Sequence, residues 1–375
     1  MVIAVNTRFW LGSGLEGYGY FIQEVFGRLA AAHPQHRFYF LFDRPYHPLL
    51  QFAPNVTPVV AGPPARHPLL WKWWYDVVVP RLLKKLGANV FLSPDGFCSL
   101  TTKVPQCLVV HDLGFLHFGE GYQKSHLLYY KYYTPKFLKK AKTVATVSQF
   151  SRQDIVKQYG IPADKINVVY SAVKEVFQPL PWQEHAAIKE QYTDGKEYFI
   201  YIGAIHPRKN LINLLKAFSK FKKWQRSGFK LVLVGRLAWK NDAFLDLLKT
   251  YKYRSDVVLL DYLPEADLVR LLGAAYALVY PSFFEGFGVP VLEAMACGVP
   301  VLTSVNSAMQ EIAEDAALYF DPNDVDDMAQ QLMLVYKDED KRSRLIEKGN
   351  NIAPQYSWQK TADALWQSIE AATKV

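Results

Sequence analysis

Short runs of apolar residues alternate with stretches of helical periodicity along nearly the whole chain. In the first half, strands are predicted at Val2–Val5, Phe38–Phe42, Val90–Leu92, Leu108–Val110, Val144–Val147 and Ile166–Val169. Helices are predicted at Gly19–Ala32, Leu69–Leu86, Ser125–Lys140 and Gln149–Tyr159. Strands that alternate with helices in this way form a parallel sheet with helices on both faces.

The segment Ala172–Glu197 interrupts this alternation with two prolines and many polar residues, which is typical of a connection between domains. The alternation then starts again, with strands predicted at Tyr198–Ile202, Lys230–Val234, Val257–Leu260, Ala277–Tyr280, Val299–Leu302 and Ala317–Phe320. The predicted helices of this half are Leu211–Trp224, Ala243–Tyr251, Glu265–Gly273, Pro290–Ala296, Asp324–Tyr336 and Trp358–Ala372. The sequence therefore predicts two doubly wound α/β domains, with a ligand-binding cleft between them.

The length and composition agree with two folded domains. A chain of 375 residues that is 50% apolar and 21% charged is long for one core and too apolar for a disordered protein. No stretch approaches the roughly 18 consecutive apolar residues of a membrane span. Residues 1–5 do not resemble a signal peptide, and the three cysteines form neither a disulfide framework nor a zinc-binding spacing. These features favour a cytoplasmic protein.

Net positive charge and abundant aromatic residues suggest an anionic partner. The net charge is +8, and 15% of the residues are aromatic. Nucleic acid, a phosphorylated small molecule and a membrane surface each fit this balance. The positive residues are dispersed and no nucleic-acid-binding motif is present, so a nucleic-acid-binding protein is disfavoured.

The strongest local signal is a glycine-containing loop that follows the fourth predicted strand of the second half and leads into a helix. Pro290 suits the first helical turn, because a proline there loses no hydrogen bond. The free N–H groups of Gly288 and Val289, with the helix dipole, make this turn an anion site. Glu285 and Glu293 fit acceptors for sugar hydroxyls. By residue chemistry alone, a capped helix with two solvated glutamates fits equally well.

The pattern Glu-Gly-Phe-Gly-x-Pro-x-Leu-Glu-Ala-Met-Ala-x-Gly-x-Pro-Val, which begins at Glu285, closely resembles the signature of retaining glycosyltransferase family 4. Other segments match this family in the expected order over nearly the whole chain. The resemblance implies the GT-B architecture, in which two Rossmann-like domains hold a nucleotide sugar between them. It implies that Glu285 contacts the donor sugar and Glu293 the ribose. The backbone N–H groups of Phe287, Gly288 and Val289 would hold sugar hydroxyl and diphosphate oxygens.

Two adjacent cations, Arg208 and Lys209, follow the first predicted strand of the second half. An arginine offers phosphate a flat fork and a lysine a point charge, and glycosyl transfer needs positive charge where the diphosphate leaves. A basic surface loop is the alternative. Lys209 matches the family lysine, whereas Ala204 stands where the family often has an arginine, for which Arg208 would substitute.

His111 and Asp112 follow a predicted strand of the first half, at the end where ligands approach a parallel sheet. Taken alone, such a histidine is more often a structural hydrogen-bonding group. The resemblance implies a position for His111 against the donor sugar and the reacting centre. We expect Asp112 to be structural and Ser148 to cap the helix that follows it.

Glycines precede the first predicted helix. Gly12 to Gly17 form a literal G-x-G-x-x-G, and a dinucleotide site would add an acidic residue about 20 residues further on, where Asp43 is roughly placed. A nicotinamide-dependent dehydrogenase is therefore an alternative function. The family also has a glycine-rich loop here, which resembles Gly17-Tyr18-Gly19-Tyr20 and would approach the diphosphate and the acceptor.

The family's closing helix, which crosses back onto the first domain, resembles the segment from Tyr356 onward. We therefore predict an acceptor-side domain of residues 1–172 plus 356–375, a linker at 173–189 and a nucleotide-sugar-binding domain at 190–355. The nucleotide base is expected near Leu263.

Two Asp-x-Asp sequences begin at Asp324 and Asp338, and many other glycosyltransferases hold a metal with such a motif. Both lie in the acidic first turn of a helix, where carboxylates interact favourably with the helix dipole. We interpret them as helix caps and expect catalysis without a metal or another cofactor. Helix N-termini, Arg208 and Lys209 would supply the positive charge.

The predicted function is retaining transfer of a hexose from a nucleotide sugar to a saccharide or lipid-linked acceptor in surface-glycan synthesis. Overall likeness to bacterial mannosyltransferases of surface polysaccharides favours GDP-mannose, and UDP-sugars stay open. A nucleotide-sugar epimerase or a glycogen-phosphorylase-like enzyme would share the architecture, although no extended lysine motif for pyridoxal phosphate is evident.

The apolar segment Leu69–Lys85 has basic ends and contains three tryptophans. Tryptophan favours the membrane interface, and basic residues favour anionic lipid. The segment fits a cytoplasmic enzyme that attaches to the inner face of the plasma membrane to reach a lipid-linked acceptor. A buried helix with a solvated end also fits, and Pro80, which interrupts the pattern, favours it.

Overall fold

The computed structural model describes residues 1–12, 17–237 and 242–374. The chain forms two compact units: residues 1–171 with 357–375, and residues 172–356. Segment 173–189, which the sequence indicates as a linker, groups with the second unit and contains the start of a helix at Trp182. The prolines of this segment lie just before the helix, and they account for its resemblance in sequence to a linker.

The first unit is built on a seven-stranded parallel sheet. Its strands are β1 (Val2–Asn6), β2 (Arg37–Phe42), β3 (Val56–Val60), β4 (Val90–Ser93), β5 (Gln106–Val109), β6 (Thr143–Thr146) and β7 (Ile166–Val168). Their spatial order is β3-β2-β1-β4-β5-β6-β7. Only β3 was not predicted, because Pro58 disguises it; an edge strand tolerates proline since one side of its backbone has no partner.

The four predicted helices of this part of the chain are present, with one exception to their continuity, and the structure adds a short helix at Gly114–His117. They are α1 (Gly17–Ala32), α2 (Pro68–Trp73), α3 (Val79–Leu86), α4 (Gly114–His117), α5 (Lys124–Lys140) and α6 (Gln149–Tyr159). The hydroxyl of Ser148 accepts a hydrogen bond from the N–H of Ser151 at 3.0 Å, which confirms Ser148 as the cap of α6.

The exception is the helix predicted over Leu69–Leu86, which contains a π-helical stretch at Trp74–Val78 between α2 and α3. Pro80 accounts for this interruption, because it has no N–H to donate to the carbonyl of Asp76. That carbonyl instead accepts a hydrogen bond from the hydroxyl of Thr101 at 2.7 Å. The structure therefore supplies from another loop the donor that proline removes.

The second unit is built on a six-stranded parallel sheet. Its strands are β8 (Tyr198–Ile202), β9 (Lys230–Val234), β10 (Val257–Leu260), β11 (Ala277–Tyr280), β12 (Val301–Ser304) and β13 (Ala317–Phe320). Their order is β10-β9-β8-β11-β12-β13, the 3-2-1-4-5-6 order of nucleotide-binding folds. The order reverses between β8 and β11, and ligands of such sheets bind at this topological switch point.

The remaining helices are α7 (Trp182–Thr193), α8 (Leu211–Gln225), α9 (Asp242–Thr250), α10 (Glu265–Gly273), α11 (Val289–Ala296), α12 (Ala308–Ala313), α13 (Val325–Lys337), α14 (Glu339–Ile352) and α15 (Trp358–Thr373). Asp324 accepts hydrogen bonds from two N–H groups at the start of α13, and Asp338 accepts one at the start of α14. The interpretation of both residues as helix caps is confirmed.

Helix α15 returns the chain to the first unit, as the resemblance implies. It packs against α1 and β6. The hydroxyl of Thr361 donates to the carbonyl of Tyr170 at 2.6 Å, and the hydroxyl of Thr143 donates to the carbonyl of Ser368 at 3.0 Å. The first turn and the second half of this helix are thus hydrogen-bonded to the rest of the first unit.

Candidate active site

The switch point of the second sheet brings together the charged residues that the sequence singles out in this unit. Arg208 and Lys209 lie in a short turn after β8, and Glu285 lies in the loop after β11. Because β8 and β11 are neighbouring parallel strands, the chain leaves both of them at the same edge of the sheet. Residues 76 positions apart can therefore touch.

Glu285 is held from two sides. Its Oε1 accepts a hydrogen bond from Lys209 Nζ at 2.5 Å, and its Oε2 lies 3.3 Å from Arg208 Nη1. Arg208 Nη1 also donates to the carbonyl of Phe284 at 2.6 Å, and Lys209 Nζ lies 2.8 Å from the hydroxyl of Tyr280. Glu285 is 7% exposed and Lys209 is 9% exposed, so this charge cluster is largely shielded from solvent.

The neighbouring charges of the cluster determine the protonation state of Glu285. Burial alone would raise the pKa of Glu285, but Arg208 and Lys209 outweigh burial and lower it to about 2. Glu285 is therefore ionised at neutral pH, where it accepts hydrogen bonds and has no proton to give.

The loop from Glu285 leads into α11 through Gly288. Gly288 has φ 96°, a left-handed conformation, and a Cβ atom there would lie 3.1 Å from the side chain of Met309. Only glycine combines this backbone conformation with so close a neighbour. In the first turn of α11 the N–H of Val291 bonds the carbonyl of Gly288 at 2.9 Å and Pro290 has no N–H, so Val289 has the N–H without a partner within the helix. Phe287 lies buried just before it.

Glu293 occupies different surroundings on α11. Burial raises its pKa to about 7, although Lys174 lowers it and Glu265 raises it further. Lys174 and Glu265 themselves form an ion pair. Leu263, the residue expected near the nucleotide base, is half-buried and lies two positions before Glu265. The two motif glutamates thus differ in protonation near neutral pH.

His111 follows β5 in the first unit. Its Nε2 lies 3.0 Å from the carbonyl of Pro94, which can only accept, so Nε2 carries the hydrogen and Nδ1 is left as an acceptor. The rings of Tyr18 and Phe21 meet the imidazole edge-on at 4.7 and 5.0 Å. Burial lowers the pKa of His111, which keeps the ring neutral at pH 7.

The glycine-rich segment supports this arrangement. Gly17 and Gly19 lie in the first turn of α1 and flank Tyr18, the residue in contact with His111. Gly14, in the middle of the G-x-G-x-x-G sequence, lies outside the described residues. Asp112 accepts a hydrogen bond from the N–H of Gly114 at 2.8 Å, a local contact of the kind that a structural role requires.

In the dehydrogenase alternative, Asp43 would have to bind the ribose hydroxyls of the dinucleotide. Its carboxylate instead accepts two hydrogen bonds from Arg44, at 2.7 and 2.6 Å, and one from the N–H of Ala65 at 2.7 Å. Asp43 is 0% exposed, so these partners enclose it. The geometry therefore does not favour a dinucleotide site.

Sequence reasoning missed two groups of residues. Tyr280, the last residue of β11, contacts Lys209, and the pair of Lys174 and Glu265 lies beside Glu293. The position of Tyr280 at the carboxyl end of a central strand was a usable signal, because ligands approach sheets there. Among the described residues, no three histidine, cysteine, aspartate or glutamate side chains gather as metal ligands.

Comparison with known proteins agrees with the fold and the motifs. Residues 183–352 match the family described as Glycosyl transferases group 1, and residues 17–175 match Glycosyltransferase Family 4. O-antigen chain mannosyltransferase B of Escherichia coli is 34% identical over 250 residues, 66% of this chain and 66% of that relative. The chain thus spans about two thirds of that curated relative's length.

Solved structures agree on the architecture. Sucrose-phosphate synthase from Thermosynechococcus elongatus aligns over 99% of both chains, with a TM-score of 0.80 and 18% identity. HepE from Anabaena, solved in complex with UDP-glucose, aligns over 99% of this chain and 100% of that chain, with a TM-score of 0.74 and 15% identity. The chain therefore has the GT-B fold and belongs to the glycosyltransferases of group 1 and family 4.

Proposed function

We propose that the protein transfers a hexose from a nucleotide sugar to a saccharide or lipid-linked acceptor in surface-glycan synthesis, with retention of anomeric configuration. GDP-mannose is the favoured donor, because an O-antigen mannosyltransferase is 34% identical over two thirds of the chain. UDP-sugars are the second candidate, because HepE, of the same fold, was solved with UDP-glucose.

The cluster of Glu285 with Arg208 and Lys209 is the observation that carries this proposal. Its two cations lie where sheets of this strand order receive ligands. We propose that both cations face the diphosphate, with Arg208 acting for the arginine absent at Ala204. The N–H groups of Phe287, Gly288 and Val289 would add hydrogen bonds at the start of α11. With the positive charge of Arg208 and Lys209 at the diphosphate, the reaction needs no metal or other cofactor.

The protonation states define the chemistry of each residue. Glu285, ionised, orients the donor sugar through its hydroxyls, while Glu293 binds the ribose and Leu263 contacts the base. The donor C–O bond breaks first, and the cations stabilise the charge on the departing diphosphate. The acceptor hydroxyl enters from the same face and passes its proton to the leaving phosphate oxygen. His111, neutral, offers Nδ1 to the sugar at the reacting centre.

A nucleotide panel followed by a transfer assay tests the function. GDP should raise the melting temperature more than UDP, and NAD should not raise it, because a ligand stabilises the fold that binds it. With GDP-mannose and a mannoside acceptor, NMR should identify an α-linked product whether or not EDTA is present. A β-linked product would overturn retention, loss of activity in EDTA would overturn metal independence, and stabilisation by NAD alone would restore the dehydrogenase.

Removal of one cation tests the assignment of the charge cluster. Lys209→Ala should lower kcat/KM for transfer by about 10²–10³-fold, because it removes a fixed charge from the developing diphosphate. Lys216→Ala is the matched control, since Lys216 is an exposed lysine on α8. Equal activity of the two variants in steady-state assays would exclude Lys209 from catalysis.

The raised pKa of Glu293 predicts a pH-dependent nucleotide affinity. The pKa is about 7, and the ionised carboxylate accepts hydrogen bonds on both oxygens, whereas the protonated group uses one oxygen as a donor. Affinity for GDP should therefore rise as pH increases through 7, and binding near pH 7 should release a proton. Calorimetry in buffers of different ionisation enthalpy measures this release.

Glu293→Gln should abolish the proton release and weaken GDP binding at pH 8. Glu347→Gln, which changes an exposed glutamate of α14, serves as the control and should behave like the unaltered protein. Undiminished proton release in Glu293→Gln would assign the titration to another group.

Attachment to an anionic membrane is a further part of the proposal. Trp71 and Trp74 are buried, whereas Leu69 is 76% exposed and Trp73 is 51% exposed on the other face of the same helical segment. Lys84 lies in the last turn of α3. An exposed tryptophan and leucine near basic residues suit the interface of an anionic bilayer. No described helix is both long and apolar enough to span a membrane.

Co-sedimentation with vesicles that contain anionic lipid tests this surface. Trp73→Ala should reduce binding through lost apolar insertion, and Lys84→Glu should reduce it through charge reversal, more strongly at low salt. Vesicles of neutral lipid provide the control. Unchanged binding of both variants would remove the membrane from the proposed partners.

A further inference from the structure

The ammonium group of Lys209 lies between two acceptors. Its Nζ donates to Glu285 Oε1 at 2.5 Å and to the hydroxyl oxygen of Tyr280 at 2.8 Å. Both acceptors come from β11 and the loop after it, whereas Lys209 comes from the turn after β8. An ammonium has three N–H donors, so bonds in two fixed directions determine the direction of the third. The position of the lysine charge therefore depends on Tyr280 as well as on Glu285.

The backbone that carries Lys209 is held as well. The N–H of Lys209 donates to the carbonyl of His206 at 2.8 Å. The next residue, Asn210, is 4% exposed, and its side-chain amide donates to the carbonyl of Pro322 at 2.7 Å. Between this backbone and the ammonium lies a flexible four-carbon stem, which lets the charge move unless its tip is also bound.

Tyr280 is a rigid acceptor. It is 2% exposed, and its own carbonyl accepts a hydrogen bond from the hydroxyl of Thr303 at 2.9 Å. Its ring lies nearly parallel to that of Tyr201 on the neighbouring strand β8, at 16° and 6.0 Å. The hydroxyl of Tyr201 in turn donates to the carbonyl of Ala204 at 3.1 Å. The phenol of Tyr280 is therefore held by the core of the second sheet.

The two acceptors of the ammonium differ in charge. Glu285 is ionised, and its carboxylate attracts the ammonium directly. Burial, followed by the nearby carboxylate of Glu285, raises the pKa of Tyr280 well above its usual range, so the phenol is neutral. A neutral acceptor adds a directed hydrogen bond without adding negative charge. Tyr280 can therefore fix where the ammonium of Lys209 points without cancelling its charge.

From this geometry we infer that Tyr280 is a positioning residue of the transfer reaction. This role rests on the proposed function: the hydroxyl aims the ammonium of Lys209 at the diphosphate that leaves the nucleotide sugar. Tyr280 acts through Lys209 and makes no bond to the reacting atoms. Without the hydroxyl, the ammonium would turn toward Glu285, and its charge would be misplaced where the diphosphate departs.

Steady-state transfer assays with GDP-mannose and a mannoside acceptor test the inference. Tyr280→Phe keeps the ring and removes the hydroxyl. It should lower kcat about tenfold and change the donor KM little, because a misdirected charge still attracts the diphosphate but stabilises its departure less. Tyr198→Phe is the matched control: Tyr198 is buried at the opposite end of β8, and its hydroxyl donates to the carbonyl of Leu271 at 2.6 Å. The control should keep the unaltered kcat.

A double variant shows whether Tyr280 acts through Lys209. In the Lys209→Ala background the hydroxyl has no ammonium to orient, so the addition of Tyr280→Phe should lower kcat no further. A residue that served only the packing of the second unit would instead lower kcat by the same factor in both backgrounds. Thermal unfolding of every variant, with GDP binding in the same samples, confirms that each is folded.

The outcomes separate this role from the proposed function. Unchanged kcat of Tyr280→Phe, an equal loss in Tyr198→Phe, or a further loss of about tenfold in the double variant would overturn the positioning role and leave the transferase standing. Absence of transfer by the unaltered protein, with no stabilisation by GDP or UDP, would overturn the proposed function and the positioning role with it.

Discussion

The charge cluster of Glu285 with Arg208 and Lys209 is the interaction on which the site of the second unit depends. A buried carboxylate and a buried ammonium each carry a desolvation cost that neither meets alone, so each requires the other. The cluster also connects two loops: the N–H of Phe283 donates to the carbonyl of Arg208 at 3.0 Å, and Arg208 donates to the carbonyl of Phe284. Side-chain and backbone hydrogen bonds therefore hold the segments after β8 and β11 together. Because the segment after β11 leads directly into α11, these bonds also position the start of that helix.

Most elements of the fold could be predicted because alternation of strands and helices leaves a periodic signature. The exceptions have different causes: α4 and α12 are too short to show helical periodicity, and α7 begins within the segment predicted as a linker. Pro58 disguises the edge strand β3, and α14 carries few apolar residues, so its periodicity is faint. Pro80 indicates the π-helical interruption, but no local pattern indicates that the carbonyl of Asp76 bonds Thr101, 25 positions away.

The residues of the candidate site could be predicted from the sequence, but the contacts between them could not. The motif around Glu285 and the adjacent cations of Arg208 and Lys209 are visible in the sequence, where they suggest separate tasks at the sugar and the diphosphate. Their direct pairing follows from the adjacency of β8 and β11, which only the strand order reveals. The pairing of Arg8 with Asp95 escaped notice for the same reason: the residues are 87 positions apart and meet because β1 and β4 are neighbours.

The two switch points share a topology and differ in their ion pairs, and this difference bears on what each can hold. At the second sheet, Arg208 and Lys209 both contact Glu285, and adjacent cations at this point suit a ligand that carries negative charge. At the first sheet, Arg8 is paired with Asp95 and Arg44 with Asp43. The nucleoside diphosphate of a glycosyl donor leaves as an anion, whereas an acceptor reacts through a neutral hydroxyl. Although the two sheets both reverse their strand order, the residues that follow the central strands differ and place different ion pairs at each switch point.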